Sequence, residues 1–386
     1  MGVRRLTGIP GFSIDRVAAA AGDDPDVLRL ENLDTDVAPP AAAVRRTADA
    51  AGEDDANSWL PFTGKAALRR AVAAHVERRS GVAYDPDTEV TITGGEGDAM
   101  LDALLCTTDA GDGVIVTDPT YAGIVNRIRL AGAVPQLVPL RPDRPGGGWR
   151  LDVAALAAAA DDRTRAVMLP NPAMPAGGLL DAGEWEALRR LCCERDLWLI
   201  YVGWMEAILF DGHRLQHPAA LPGLRDRVVT IGTVSMEQRM IGWRIGWVVA
   251  PAPLAADVMR AHIYNGLVAG GIAQEAAVVA LAEPPEDFAA CVAEWERRRD
   301  TVLDQLAGLP AVRPAGGWSL LLETAPLGVD PAELSARLLA EKVAATPMPG
   351  WGGDVAAGYI RFVYSNEPCE RLGLLRARLD RALEQR

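Results

Sequence analysis

Short runs of β-forming apolar residues alternate with helical stretches from about residue 89 onward. Six runs are predicted as strands, at 90–93, 113–117, 166–169, 197–202, 228–232 and 245–249. Helical patterns lie between them, at 98–107, up to 130 and over 181–195. Strands separated by helices indicate a largely parallel sheet that is covered on both faces. This part of the chain is therefore predicted to be an α/β domain.

The pattern changes after Pro251. Long helices are predicted at 252–282 and 286–306, followed by strands at 318–323 and 359–363 and a closing helix from Glu367. This α+β run indicates a second, smaller domain. We expect an N-terminal arm with part of the small domain at 1–44, a large α/β domain at 45–255, and an inter-domain helix with the small α+β domain at 256–386.

Composition and charge narrow the functional classes. The 386 residues are 49% hydrophobic, which is enough to fill sizeable cores. Acidic side chains outnumber basic ones by 52 to 39, and the net charge of -13 repels phosphodiester backbones and anionic membrane surfaces. Nucleic-acid and membrane partners are therefore not expected. The apolar stretches are too short to cross a bilayer, and the protein is predicted to be cytoplasmic.

Few side chains are available for metal or lysine chemistry. The five cysteines are scattered without a CxxC pair, which favours reduced thiols over disulfides or a zinc site. His213 and His217 lie four residues apart without a carboxylate pair nearby, so we predict a loop there and no metal site. The only lysines are Lys65 and Lys342. Chemistry that needs a lysine amine must use one of them.

Seven short motifs follow one another in a distinctive order. They read NSWLPFTG at 57–64, GGEGDA at 94–99, DPTY at 118–121, NPAMPAG at 171–177, GWRIG at 242–246, PAGGW at 314–318 and YIR at 359–361. With these motifs the chain resembles, from about Leu28 to its C-terminus, the class I/II aminotransferases of fold type I, which use pyridoxal 5'-phosphate (PLP). The resemblance implies an α/β fold in which a large domain has a mainly parallel seven-stranded sheet, with a smaller α+β domain beside it.

The sequence departs from the family at the positions that hold the cofactor. In the family a Ser-x-Ser run precedes the lysine that forms the imine with PLP, whereas the corresponding run TVS at 233–235 precedes Met236. A thioether cannot form an imine. Four other polar cofactor contacts of the family correspond here to Trp59, Met174, Val202 and Met205. We therefore expect an apolar pocket that binds no PLP.

Two arginines of the family pattern remain. Arg244 resembles the phosphate-binding arginine, and Arg361 resembles the one that grips a substrate carboxylate in a bidentate fork. Without a phosphate, Arg244 needs another partner because an unpaired buried cation is unfavourable. We expect Glu96, or else Asp98, to be that partner. Asp98 has the alternative role of capping the helix that starts there.

The candidate catalytic residues are Tyr121, Glu96, Ser235 and Arg361. The resemblance implies that Tyr121 lies over the pocket that holds the PLP ring in the family. There its ring could stack on a flat substrate, and its hydroxyl could act as a weak acid or base. Arg361 and Glu96 would polarise carbonyls or move protons, and Ser235 either donates a hydrogen bond or satisfies a turn. The substrate-binding candidates are Trp59, Asn171, Met174, Val202, Trp204, Met205, Thr233, Met236, Arg244 and Trp318.

The family builds its active sites at a dimer interface, so the resemblance implies a homodimer with a shared site. The segment HIYNG at 262–266 corresponds to the loop that reaches the neighbouring subunit. Tyr264 and Asn265 are the candidates for contact with the second subunit's site. His262 is predicted to be solvated on its helix face.

These features favour a cofactor-independent enzyme that acts on an apolar, carboxylated or polycarbonyl intermediate of secondary metabolite biosynthesis. Such an enzyme would position its substrate for cyclisation, elimination or isomerisation. Two alternatives stay open: a non-catalytic ligand-binding or regulatory homologue, and a residual enzyme of the family that uses PLP or its pyridoxamine form. The sequence names neither the substrate nor the reaction.

Overall fold

The structure, a computed structural model, describes residues 6–144, 147–282 and 287–385. The strands are β1 (Leu28–Leu30), β2 (Val90–Thr93), β3 (Gly113–Asp118), β4 (Val134–Pro142), β5 (Trp149–Leu151), β6 (Thr164–Pro170), β7 (Trp198–Val202), β8 (Val228–Thr233), β9 (Gly246–Val249), β10 (Ala311–Val312), β11 (Ser319–Glu323), β12 (Val343–Pro347) and β13 (Tyr359–Val363). The helices are α1 (Ser13–Ala21), α2 (Ala41–Ala50), α3 (Asp54–Asn57), α4 (Ala66–Ser80), α5 (Glu96–Thr107), α6 (Ala122–Ala131), α7 (Val153–Ala159), α8 (Ala182–Glu194), α9 (Ala252–Asn265), α10 (Gly271–Ala282), α11 (Phe288–Gln305), α12 (Pro331–Ala340), α13 (Asp354–Ala357), α14 (Cys369–Leu372) and α15 (Leu375–Glu384).

The larger sheet has eight strands in the order β2-β9-β8-β7-β6-β3-β4-β5. The neighbours from β8 to β4 run parallel, whereas β9 is antiparallel to both of its neighbours and β5 is antiparallel to β4. Every residue of β2, β3, β8 and β9 is buried, as expected for strands covered on both faces. The expected α/β fold and mainly parallel sheet are confirmed.

The sheet has one strand more than the seven that the resemblance implies. The additional strand is β5, which extends the edge beyond β4. The hydrophobic pattern did not indicate β4 because Pro135, Pro139 and Pro142 interrupt it, and prolines are tolerated near the edge of a sheet, where fewer ladder hydrogen bonds are required.

The smaller sheet has the order β1-β12-β13-β11-β10 and draws its strands from both ends of the chain. β1 pairs in parallel with β12, with Leu28 opposite Val343, so the N-terminal arm is part of this sheet. The remaining pairs are antiparallel. The division of the chain at 45 and 255 stays a prediction.

The helical region after β9 differs from the expectation. The predicted helix 252–282 is interrupted, because α9 ends at Asn265 and α10 begins at Gly271. The break contains Gly266 and Gly270, and Leu267 adopts a positive φ of 64°, which a continuous helix does not allow. The predicted helix 286–306 starts at Phe288 among the described residues, and Glu286 lies outside them. Among the described helices, none combines the length and apolarity needed to span a bilayer.

Candidate active site

The parallel strands end at one edge of the larger sheet, and the residues that follow them meet there. Tyr121 follows β3, Met174 follows β6, Met205 follows β7 and Met236 follows β8. In open α/β sheets the carboxyl ends of the strands form the ligand-binding edge. The sheet topology therefore brings together residues that are far apart in the sequence.

An ion cluster lies at the N-terminus of α5. The carboxylate of Glu96 is 3.6 Å from Nη2 of Arg244, and the Ser235 hydroxyl lies 3.3 Å from Oε2 of Glu96. Nη1 of Arg244 is 3.4 Å from Oγ of Ser235. The guanidinium crosses Gly95, where a Cβ would lie 2.5 Å from Nη2. The glycine is therefore required for this close approach.

Glu96, not Asp98, is the partner of Arg244. Thr233 supports the cluster, because its hydroxyl is 2.8 Å from that of Ser235 and donates to the Ile245 carbonyl at 2.9 Å. Ser235 thus contacts charged groups as well as its own turn. Together these residues form a compact cluster of an anion, a cation and two hydroxyls.

Asp98 belongs to a second, buried cluster between α5 and α9. Nδ1 of His262 is 3.3 Å from Asp98 and 3.0 Å from Asp102, and Asn265 donates to Asp98 at 2.7 Å. Burial alone would lower the pKa of His262, but its hydrogen bonds to Asp102 and Asp98 raise it to about 9. The imidazole is therefore protonated at neutral pH.

One expectation for this segment is wrong, and the one for Asn265 stays a prediction. His262 is fully buried instead of solvated, because α5 and α9 pack side by side and enclose it. Asn265 points its amide at Asp98 and Asp102 of its own chain, so this amide is already engaged. Asp98 also accepts a hydrogen bond from the Gly94 amide at 2.9 Å. It does not have the expected capping role, because α5 begins at Glu96 and its N-cap residue, Gly95, has no side-chain cap.

The floor of the site is apolar. Met174, Val202, Met205 and Met236 are all buried. None of these side chains can donate a strong hydrogen bond or a negative charge to a pyridine ring. The floor therefore does not fit a PLP ring that is held by an imine and a carboxylate.

Both lysines are engaged elsewhere. The Lys65 ammonium pairs with Glu275 of α10, and Nζ of Lys342 donates to Asp24 at 2.7 Å. Lys342 directly precedes β12 of the smaller sheet. Neither amine occupies the place of Met236 after β8.

Aromatic side chains form one wall. The Tyr121 ring is stacked on Phe12 with centroids 6.0 Å apart, and it meets Trp204 and Trp351 edge-on at 5.7 and 5.8 Å. Burial raises the pKa of the Tyr121 hydroxyl, so it stays protonated at neutral pH. The sequence pattern indicated Tyr121 and Trp204 but not Phe12 or Trp351, which no local motif marks.

Arg361 is fully buried on β13 beside this wall. Its guanidinium lies 4.6 Å from the centre of the Trp351 ring, and Nη2 donates to the Glu31 carbonyl. Within the described residues, Nε and Nη1 have no hydrogen-bond partner. Burial lowers the pKa of Arg361 to about 10, which still leaves it charged at neutral pH. A buried cation with two free donors can bind a carboxylate.

The other predicted residues lie in different environments. Trp318 is buried with its ring 5.1 Å from that of Trp295, so it packs in the core. Asn171 accepts a hydrogen bond from the Leu180 amide at 3.0 Å. Trp59 and Tyr264 are 74% and 91% exposed, and the single chain leaves both on its surface.

A buried carboxyl cluster behind the floor was not predicted. Glu206 packs against Gly203, directly after β7, and accepts a hydrogen bond from Tyr201 at 2.8 Å. Nε2 of His217 is 3.5 Å from the same carboxyl, so His217 lies in the expected loop but is buried at the end of it. Burial, reinforced by repulsion from Glu237, raises the pKa of Glu206 to about 8.

Comparison with known proteins gives a consistent picture. The family model for aminotransferase class I and II matches residues 25–372. The chain is 34% identical to an arginine–pyruvate transaminase from Pseudomonas aeruginosa, over 94% of this chain and 93% of that protein. It is 35% identical to a probable N-succinyldiaminopimelate aminotransferase from Mycobacterium tuberculosis, over 78% of this chain and 76% of that one.

Solved structures agree. The structure of N-succinyldiaminopimelate aminotransferase from Mycobacterium tuberculosis superposes with a TM-score of 0.92 at 31% identity, covering 99% of this chain and 100% of that one. Aspartate aminotransferase from Thermus thermophilus, a single mutant, gives a TM-score of 0.89 at 27% identity, covering 100% and 99%.

These relatives contradict the functional expectation. The prediction of a cofactor-independent cyclase of secondary metabolism that binds no PLP is wrong. The chain is similar over most of its length to proteins named as transaminases, and the family's reaction uses PLP. The resemblance to the family and the expectation of an enzyme are supported.

Proposed function

We propose, from the premise that the chain belongs to the class I and II aminotransferase family, that it is a pyridoxal-dependent enzyme acting on a small amino or oxo acid. We further propose that its cofactor is held without a lysine imine. Met236 and the engagement of Lys65 and Lys342 support this second part.

The observation that carries the substrate class is the fork of Arg361. In the described part of the chain the buried guanidinium has free donors at Nε and Nη1, and it would bind a carboxylate strongly because charge-assisted hydrogen bonds in a dry site lose little to water. Trp351 packs under the guanidinium and restricts its orientation. The carboxylate of an amino or oxo acid fits this fork.

The aromatic wall supports an apolar substrate body. Phe12, Trp204 and Trp351 each contact the Tyr121 ring, and Trp351 also packs against the guanidinium of Arg361. Such a wall excludes water and holds the body of the substrate, while the fork fixes its orientation. Tyr121 keeps its hydroxyl proton at neutral pH and can donate it to an oxygen of the substrate.

We also propose that the enzyme is a homodimer. Trp59 and Tyr264 are large aromatic side chains that are mostly exposed in the single chain, and aromatic residues are enriched at interfaces. Burying these two residues against a second copy would remove apolar surface from water.

Amino-group transfer tests the proposal directly. The protein is incubated with PLP, aromatic or aliphatic L-amino acids as donors, and pyruvate or 2-oxoglutarate as acceptor, and the new amino acid is measured by mass spectrometry. We expect PLP-stimulated transfer that favours donors with an apolar side chain. No transfer from any donor at any PLP concentration would contradict the proposal.

The apolar floor favours a second candidate, a non-catalytic ligand-binding member of the family. Val202 and Met236 lack the charge and the amine that the family's chemistry uses. This candidate predicts that the protein binds amino or oxo acids without converting them. The transfer assay combined with a binding titration of the same acids distinguishes the two.

A further inference from the structure

The cluster at the N-terminus of α5 does not fit a simple phosphate site, because it already contains the carboxylate of Glu96 beside Arg244. We infer that Glu96 is an internal anion that competes with the ligand's phosphate for Arg244 and Ser235. This competition makes the binding of a phosphate-bearing ligand weak and reversible. The identity of that ligand as a pyridoxal phosphate rests on the proposed function, but the competition itself does not.

The Glu96 carboxylate contacts both of the groups that a phosphate would need. It lies 3.3 Å from the Ser235 hydroxyl and 3.6 Å from the Arg244 guanidinium. Its side chain is 15% exposed, so the carboxylate is largely removed from water. A phosphate that enters must therefore displace this carboxylate or lie beside it.

The charges of the cluster decide whether a phosphate displaces the Glu96 carboxylate or binds beside it. Glu96 and Arg244 neutralise each other, so the pair presents no net positive charge to an incoming anion. A phosphate dianion beside an intact pair would lie close to the Glu96 carboxylate, and the two like charges would repel each other. Displacement is thus required. Arg244 is 49% exposed, which leaves its outer side open to an anion as Glu96 withdraws.

The second acid of the same helical turn does not compete. Asp98 is bound to His262 and Asn265 and shows no contact with Arg244 among the described residues. Its charge is compensated within its own cluster. Removing the charge of Glu96 should therefore change the phosphate affinity, whereas removing that of Asp98 should not, although both residues lie in the first turn of α5.

A second consequence follows from the lack of an imine. If the cofactor has neither a covalent bond nor an uncontested phosphate anchor, it exchanges with solvent between turnovers. A pyridoxal without phosphate is insensitive to Glu96, because it does not approach Arg244 with a charge.

Isothermal titration with three probes tests the competition: inorganic phosphate, PLP and pyridoxal. The wild type is compared with Glu96→Gln, which retains the side-chain shape but loses the charge, and with Asp98→Asn as the matched control. We expect Glu96→Gln to bind inorganic phosphate and PLP about tenfold or more tightly than the wild type. The affinity for pyridoxal, and all affinities of Asp98→Asn, should stay within about twofold.

A further variant tests whether the gain in phosphate affinity depends on Arg244. Arg244→Gln added to Glu96→Gln should return the phosphate affinity to that of the wild type, and thermal melting shows whether each variant is folded. Unchanged phosphate affinity in folded Glu96→Gln, or an equal gain in Asp98→Asn, overturns the inference. The outcome of this titration does not depend on the outcome of the transfer assay, because phosphate binding needs no turnover.

Discussion

At the scale of single residues, Glu206 is the most perturbed carboxyl close to the site. It is buried behind the floor, and burial together with repulsion from Glu237 raises its pKa to about 8. The folded protein therefore prefers the protonated form, in which Glu206 accepts a hydrogen bond from the Tyr201 hydroxyl without carrying a buried charge.

This environment predicts a pH-dependent stability. The contribution of Glu206 is fully present below its ordinary pKa of 4.5 and is lost as the pH rises through about 8. Glu206→Gln, which stays neutral, should remove this loss, so that the variant is more stable than the wild type at pH 8 but not at pH 4.5. Urea unfolding at the two pH values measures the difference, and equal pH slopes for both proteins would contradict the assignment.

Arg361 leads to a prediction about ligand charge. Arg361→Lys keeps the positive charge but loses the planar fork, and it should weaken binding of phenylpyruvate about 10- to 100-fold, the effect of losing one charged hydrogen bond. The methyl ester of phenylpyruvate, which lacks the carboxylate, should lose less than about threefold.

The control for this change is Arg378→Lys in α15, whose guanidinium donates to the backbone carbonyls of Asp26 and Lys342. Binding is followed by calorimetry. If acid and ester weaken equally in Arg361→Lys, the guanidinium does not hold a carboxylate.

At the scale of elements, the His262 cluster joins α5 to α9. Its hydrogen bonds to Asp102 and Asp98 overcome the effect of burial and raise the pKa of His262 to about 9. The stabilisation is fully present below the ordinary value of 6.5 and is lost as the pH rises through about 9. The packing of α9, and of the turn after it, is therefore sensitive to alkaline pH.

Removing the imidazole tests this coupling. His262→Gln should lower the free energy of unfolding at pH 6.5 by about 2 kcal/mol or more, because the buried Asp102 and the partly buried Asp98 lose their cation. The difference from the wild type should shrink towards pH 9. His213→Gln, which changes an exposed histidine, is the control and should have little effect. A constant difference across this pH range would show that His262 is neutral in the folded protein.

The sequence predicted those elements whose signal is local. The runs at 113–117 and 228–232 fall within β3 and β8, since strands buried on both faces are continuously apolar. The prolines of β4 concealed the strand next to the edge, and the break between α9 and α10 was missed because the apolar pattern continues through Gly266 and Gly270.

The site was predictable only where the topology of parallel strands determines it. Residues after β3, β7 and β8 meet because these strands end at one edge, and their order could be inferred from the motifs. Phe12 and Trp351 could not be placed in the wall, because they lie far from Tyr121 in the sequence and only the tertiary fold brings them together.

At the scale of the whole molecule, the exposed aromatic residues predict the oligomeric state. Trp59→Ser and Tyr264→Ser, introduced together, should convert a dimer into a monomer on size-exclusion chromatography with light scattering, since both lose apolar contact area. Leu374→Ser, at an exposed leucine between α14 and α15, serves as the control and should remain dimeric. A monomeric wild type at micromolar concentration would contradict the proposed dimer.

We propose that this aminotransferase-family enzyme uses its cofactor without a lysine imine. It is tested most directly by intact-mass spectrometry of the protein after incubation with PLP and reduction with borohydride, which makes any imine permanent. We predict an unchanged protein mass for a sample that nevertheless shows PLP-stimulated amino transfer. A phosphopyridoxyl adduct that peptide mapping assigns to Lys65 or Lys342 would contradict the account.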